Sequence, residues 1–185
     1  MLIKTDLKVV NNIIKYLLLF SITILMSACS QKSISQIFIE KGKKYNVNFK
    51  TLYAICKHES NHKSNVVNVN RSIFNVQRGS HYFSSAFKAN LYMDYVLDPL
   101  LLNYDIGICQ INKVHLKRLD LDNEDLLDRE INIDTAAKIY KYNLRKCRNE
   151  IICALSMYNT GRKNSTIGKR YAKKVLRIRK KYWGK

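Results

Sequence analysis

The stretch that most constrains the fold runs from Leu52 to Asn61, Leu-Tyr-Ala-Ile-Cys-Lys-His-Glu-Ser-Asn. Leu52, Ile55, Cys56 and Glu59 fall at i, i+3, i+4 and i+7, one face of a helix with a 3.6-residue period. A carboxyl group therefore shares the face that must be buried. Asn48 stands where it can cap this helix, and the polar pair Ser60-Asn61 ends it, so Glu59 lies near the negative end of the helix dipole. Burial and dipole both penalise the carboxylate and raise its pKa. A carboxyl group still protonated near neutral pH can serve as a general acid, so the stretch points to acid catalysis in a cleft. The competing reading is a last turn that frays and leaves Glu59 in water.

Residues 1–28 read as an export signal. Lys4, Lys8 and Lys15 form a basic lead, Tyr16 to Met26 is a charge-free apolar run, and the small Ser27 and Ala28 follow. That run is too short to span a bilayer comfortably. Cys29 comes next, and Leu25-Met26-Ser27-Ala28-Cys29 resembles the lipobox of bacterial lipoproteins, with Met26 where Leu is commonest. The resemblance implies a mature chain that begins at a lipidated Cys29 and is periplasmic. Ser30 in second place implies an outer-membrane anchor. A soluble exported protein cut nearby, or an uncleaved anchor, is the alternative.

Residues 29–185 are enough for one core and contain no repeat or linker, so a single, mostly helical domain is expected. The formal net charge of the chain is +19, and removing residues 1–28 takes away only three Lys and one Asp. A basic exported chain can follow an anionic envelope polymer or a phospholipid surface by long-range attraction. Here Lys is abundant together with Asn and Ile, a bias spread along the chain, and no nucleic-acid partner is expected. With Cys29 set aside, four of the five cysteines remain, which permits two disulfides with three connectivities. Cys147 and Cys153, close in sequence across an expected helix junction, are the predicted pair. Cys56 and Cys109 would then remain, and whether they pair or stay as buried thiols is open. No Cys or His spacing suits zinc, so neither a metal nor a cofactor is expected.

Helical spacing recurs over Ile34 to Tyr45, over Ile131 to Lys146, from about Glu150 to Gly161, and over Ser165 to Tyr182, where Tyr171, Val175 and Ile178 face inward. Asn65 to Asn70 alternates and reads as a short strand or an extended loop whose asparagines can line a cleft. Ser84 and Ser85 can cap a helix with Phe87, Leu91, Tyr92 and Tyr95 on one side, read as core. In Asn103 to Asn112, Gly107 interrupts an apolar run and marks a tight bend. Gln110 and Asn112 alternate with Ile111 there, and such amides need partners, either a ligand or the backbone of a turn.

Three segments in this order resemble the lytic transglycosylases of the goose-type lysozyme fold: Glu59-Ser60-Asn61, Asp105-Ile106-Gly107-Ile108-Cys109-Gln110-Ile111-Asn112, and Ala154-Leu155-Ser156-Met157-Tyr158-Asn159-Thr160-Gly161. Asn132-Ile133-Asp134-Thr135-Ala136-Ala137 and Tyr171-Ala172-Lys173-Lys174-Val175 look like the family's later helices, so the resemblance spans about Ile34 to Leu176. It implies a mostly α, lysozyme-like single domain, with at most a short strand or extended segment between the Glu59 helix and the Gly-x-x-Gln motif. Cys109 stands where the family usually has Met, and Phe49 where Pro is common. The long interval between Glu59 and Gly107 marks 72–102 as an insertion, a lid or a partner surface.

By this resemblance the substrate is the glycan strand of peptidoglycan, cut between N-acetylmuramic acid and N-acetylglucosamine to leave 1,6-anhydro ends. Glu59 is then acid and afterwards base. Tyr158 orients it or the oxocarbenium-like centre, Gln110 and Asn159 hold acetamido groups, and Asn68 contacts substrate beside Glu59. Asp105 is read as shaping the bend before Gly107, since the family's reaction needs one carboxyl group. Small size and a single domain resemble the members that open the wall locally for secretion or other envelope-spanning machines. A goose-type lysozyme that hydrolyses the same bond, or a non-catalytic glycan-binding component of such a machine, is the alternative.

Overall fold

The computed structural model describes residues 9, 11–17 and 32–184. Residues 11–17 are helical and belong to a unit of their own, residues 1–33. Cys29 and most of the expected export signal lie outside the described residues.

The unit from Ile34 onward opens with helix α1 (Ile34–Tyr45) and helix α2 (Phe49–Ser60). Strands β1 (Val66–Val69) and β2 (Gly79–Tyr82) follow, then helix α3 (Ala86–Tyr92), which runs on into a π turn at Met93–Leu97. Strands β3 (Tyr104–Ile106) and β4 (Ile111–Asn112), the short helix α4 (Leu116–Leu119), and helices α5 (Arg129–Lys146), α6 (Ile151–Thr160) and α7 (Thr166–Trp183) complete it. Helix α2 packs between α1 and α7, while α6 packs on α5 and α7.

Local chemistry explains the position of α2. Asn48 accepts a hydrogen bond from the Thr51 N–H at 3.1 Å and starts the helix, and Asn61 ends it in the left-handed conformation that asparagine tolerates. Leu52, Ala54, Ile55 and Cys56 are fully buried. At the far end of the chain, Gly161 closes α6 at φ 69°, and Ser165 caps α7 through the Gly168 N–H. Helix α5 begins at Arg129 under the Asp128 cap, and its Asp134 pairs with Lys41 and Lys44 of α1.

The sheet is larger than the single short strand expected, because the intervening segment supplies more of it. Four antiparallel strands are ordered β2-β1-β3-β4, with Asn68 opposite both Ser80 and Asp105, and Asp105 opposite Asn112. Val67 and Val69 of β1 join the core, so Val66 and Asn68 present the other face. Residues 72–102, expected as an insertion, contribute β2, α3 and the π turn. Of their aromatic stripe only Tyr92 packs, partly buried, against the core, while Phe87 is 70% and Tyr95 76% exposed. The buried row is Ala89, Met93 and Leu97, spaced by fours along the same segment, which turns the other two rings outward.

Candidate active site

Helix α2 delivers Glu59 in its last turn, two ties fix α2 against the Gly107-to-Gln110 bend, and a third holds the bend to α6. Cys56 and Cys109 are joined as a disulfide, and the buried Ser60 hydroxyl donates to the Ile108 carbonyl at 2.7 Å. Tyr158 of α6 donates to the Cys109 carbonyl at 3.0 Å. The second disulfide, Cys147 to Cys153, links the end of α5 to α6.

The bend itself is built on backbone space. Gly107 has φ 76°, and a Cβ there would collide with the Leu126 carbonyl oxygen and the Asn132 side chain. Asn132, fully buried on α5, accepts from the Cys109 N–H and donates to the carbonyls of Ile106 and Leu126. Gln110 also has positive φ, and its Nε2 donates to the carbonyls of Gly107 and Val66.

Glu59, Asn68, Asn70, Ser80, Asp105, Gln110, Tyr158 and Asn159 line a polar cavity of about 290 Å³. The sheet register lays a run of polar groups across it. Ser80 donates to Asn68 at 3.4 Å, Asn68 to Asp105 at 3.3 Å, and Asn112 to the other Asp105 oxygen at 2.7 Å. Tyr171, reaching in from α7, donates its hydroxyl to Glu59 Oε1 at 2.6 Å.

Burial pushes the Glu59 carboxyl up to about 7, with the nearby Asp105 charge adding to the rise and the Tyr171 hydrogen bond opposing it. Asp105 is also raised by burial, against hydrogen bonds from Asn112, Asn68 and Asn70 that favour its carboxylate. Burial and the neighbouring Glu59 hold both Tyr158 and Tyr171 well above the ordinary phenol range. Glu59 can therefore give up a proton near neutrality, while both tyrosines remain donors.

The five residues singled out in the sequence, Glu59, Asn68, Gln110, Tyr158 and Asn159, share this cavity. Two assignments change. The hydroxyl on Glu59 belongs to Tyr171, since Tyr158 spends its own on the Cys109 carbonyl. Asp105 does more than shape the bend, because its carboxyl group enters the cavity. Tyr171 had left a trace in the sequence, a polar-tipped ring in the inward stripe of α7. Ser80 left none, because its place depends on pairing between β1 and β2.

A carboxyl group tuned to titrate near neutrality, in a cavity lined mostly by side-chain amides, suits acid cleavage of an uncharged, N-acetylated sugar chain. Held at a helix end beside a small sheet in an otherwise helical domain, it defines a lysozyme-like glycan-cleaving domain. Residues 36–179 match the Transglycosylase SLT domain family, and the chain belongs to it: it is a lytic transglycosylase acting on peptidoglycan. No curated protein and no solved structure matches the chain.

Proposed function

We propose that this enzyme cuts the bond between N-acetylmuramic acid and N-acetylglucosamine by intramolecular transfer, leaving 1,6-anhydro ends. The observation that carries the proposal is the partly buried Glu59, its pKa near 7, under the Tyr171 hydroxyl. Protonated Glu59 gives its proton to the leaving O4 as the C1–O4 bond breaks. The resulting carboxylate, stabilised by Tyr171, takes the proton from the muramyl C6 hydroxyl as that oxygen bonds to C1. Glu59 ends the cycle protonated, and no water is consumed. Gln110, Asn159 and Asn68 hold the sugar's acetamido and hydroxyl groups.

Asp105 favours a second reading. A second carboxyl group in the cavity is what a hydrolase uses to activate water or to stabilise the positive sugar centre. Mass spectrometry of products from purified wall separates the two, since hydrolysis leaves reducing ends and transfer leaves anhydro ends. Reducing ends alone would overturn the proposal.

We further propose that the chain is anchored through a lipid on Cys29 in the periplasm, and that it opens the wall locally for an envelope-spanning machine. Supporting this are the lipobox-like Leu25 to Cys29, the single small domain, and the exposed apolar side chains Phe74, Phe87, Tyr95 and Leu101 between positions 72 and 102.

A further inference from the structure

Beside the catalytic cavity lies a second one, of about 500 Å³, lined by His58, Asn159, Ile167, Arg170, Tyr171 and Lys174. Two walls are shared with the catalytic machinery. Asn159 lines both cavities, and Tyr171 turns its hydroxyl to Glu59 while its ring meets the His58 ring at 5.2 Å. Whatever occupies this pocket is therefore bound next to the scissile bond.

The pocket differs from its neighbour in charge. Ile167, Arg170, Tyr171 and Lys174 fall at i, i+3, i+4 and i+7 on α7, so one helix face supplies an apolar ledge and two exposed cations. No acidic residue follows Glu150 in the chain, so neither α6 nor α7 carries a carboxylate to answer them. Among the described residues, Lys41, Lys44 and Lys113 are held in ion pairs with carboxylates, and neither Arg170 nor Lys174 is. The sugars of the glycan backbone are neutral. On this substrate, negative charge sits on the lactyl arm of muramic acid, either as the free lactyl acid or as the carboxylates of a peptide attached there. The cavity is too roomy for a lone carboxylate, and its Ile167 ledge suits an alkyl side chain.

We infer that the pocket between His58 and the Arg170–Lys174 face of α7 binds the stem peptide of the muramyl residue being cut, its carboxylates meeting Arg170 and Lys174. The inference rests on the peptidoglycan reading above. It makes the enzyme selective for strands that still carry peptides.

The test is a titration of the full chain, with turnover stopped by Glu59→Gln, against three soluble strand preparations. One bears stem peptides with free carboxylates, one bears the same peptides with those carboxylates amidated, and one is stripped to the free lactyl acid. The first is expected to bind roughly tenfold more tightly than the second, and Arg170→Gln with Lys174→Gln to abolish that gap. Both substitutions are at exposed positions, and thermal melts confirm that the variant is folded. Equal binding of the first two preparations, or a gap that survives the double substitution, overturns the inference. Stripped strands binding as well as peptide-bearing ones would assign the pocket to the lactyl acid and overturn the stem-peptide assignment. Anhydro-product release by the wild type is scored separately, so failure of the transfer reaction and failure of this inference leave different records.

Discussion

Tyr171 donates its hydroxyl to Glu59 Oε1 at 2.6 Å, joining residues 112 positions apart in the chain. The bond favours the carboxylate, so Tyr171 positions Glu59 and limits how far burial can raise its pKa. Tyr171→Phe should move the alkaline limb of the pH–rate profile upward and lower turnover roughly tenfold, since the carboxylate formed in the first step loses its donor. An unmoved pH profile would reduce Tyr171 to packing.

Glu59→Gln keeps the size of the side chain and removes the proton. Turnover should fall at least roughly a hundredfold while strand binding survives. Folding raises this pKa from 4.5 to about 7, so the folded state holds the proton more tightly. The resulting stabilisation is complete below pH 4.5 and lost as pH rises through 7. Urea melts across that range should show a decline in the wild type that is weaker in Glu59→Gln, whose stability near pH 8 should equal or exceed the wild type's.

Asp105→Asn tests how many carboxyl groups the reaction needs. The substitution puts an NH2 in place of one of the two oxygens that accept from Asn68 and Asn112, so one of those donors loses its acceptor, and it removes a negative charge that raises the Glu59 pKa. A loss of roughly tenfold is expected, with the alkaline limb displaced downward. Activity as low as that of Glu59→Gln in a folded protein would mean that the one-carboxyl mechanism is wrong.

The disulfides should differ in weight. Cys56 and Cys109 enclose a separation of 53 residues, Cys147 and Cys153 only 6. On chain entropy alone, removing the first costs about 4 kcal/mol and the second about 2 kcal/mol. Denaturant melts of the paired Cys→Ala variants measure this, and peptide mapping without reduction checks both pairings.

Cys29→Ala should release the protein from the membrane fraction. Continued association in that variant would mean that the lipid is not the anchor.

Local signals were legible in the sequence where one helix or one turn decides the outcome. The Asn48 cap, the Glu59 face, Gly161 as a stop and the Gly107 bend all follow from spacing and backbone preference. Placement across the sheet was not legible. Ser80 reaches the cavity only because β2 pairs with β1 in one register, and Asp105 enters it because β3 alternates the same way. The Phe87–Tyr95 stripe misled in all but Tyr92 for a related reason: helical spacing shows that a face exists, but tertiary packing selected the Ala89–Met93–Leu97 row.

Asn132 carries a consequence for how such a site can be altered. One side chain on α5 holds the backbone of Ile106, Cys109 and Leu126, and the space it fills is the space that Gly107 leaves open. The loop bearing Gln110 and the helix beneath it are therefore not separable modules. Grafting the loop alone into a foreign scaffold would strand the Ile106 carbonyl and the Cys109 amide in a dry interior, so any engineered transplant, like any recombination event between relatives, has to exchange both pieces together or neither.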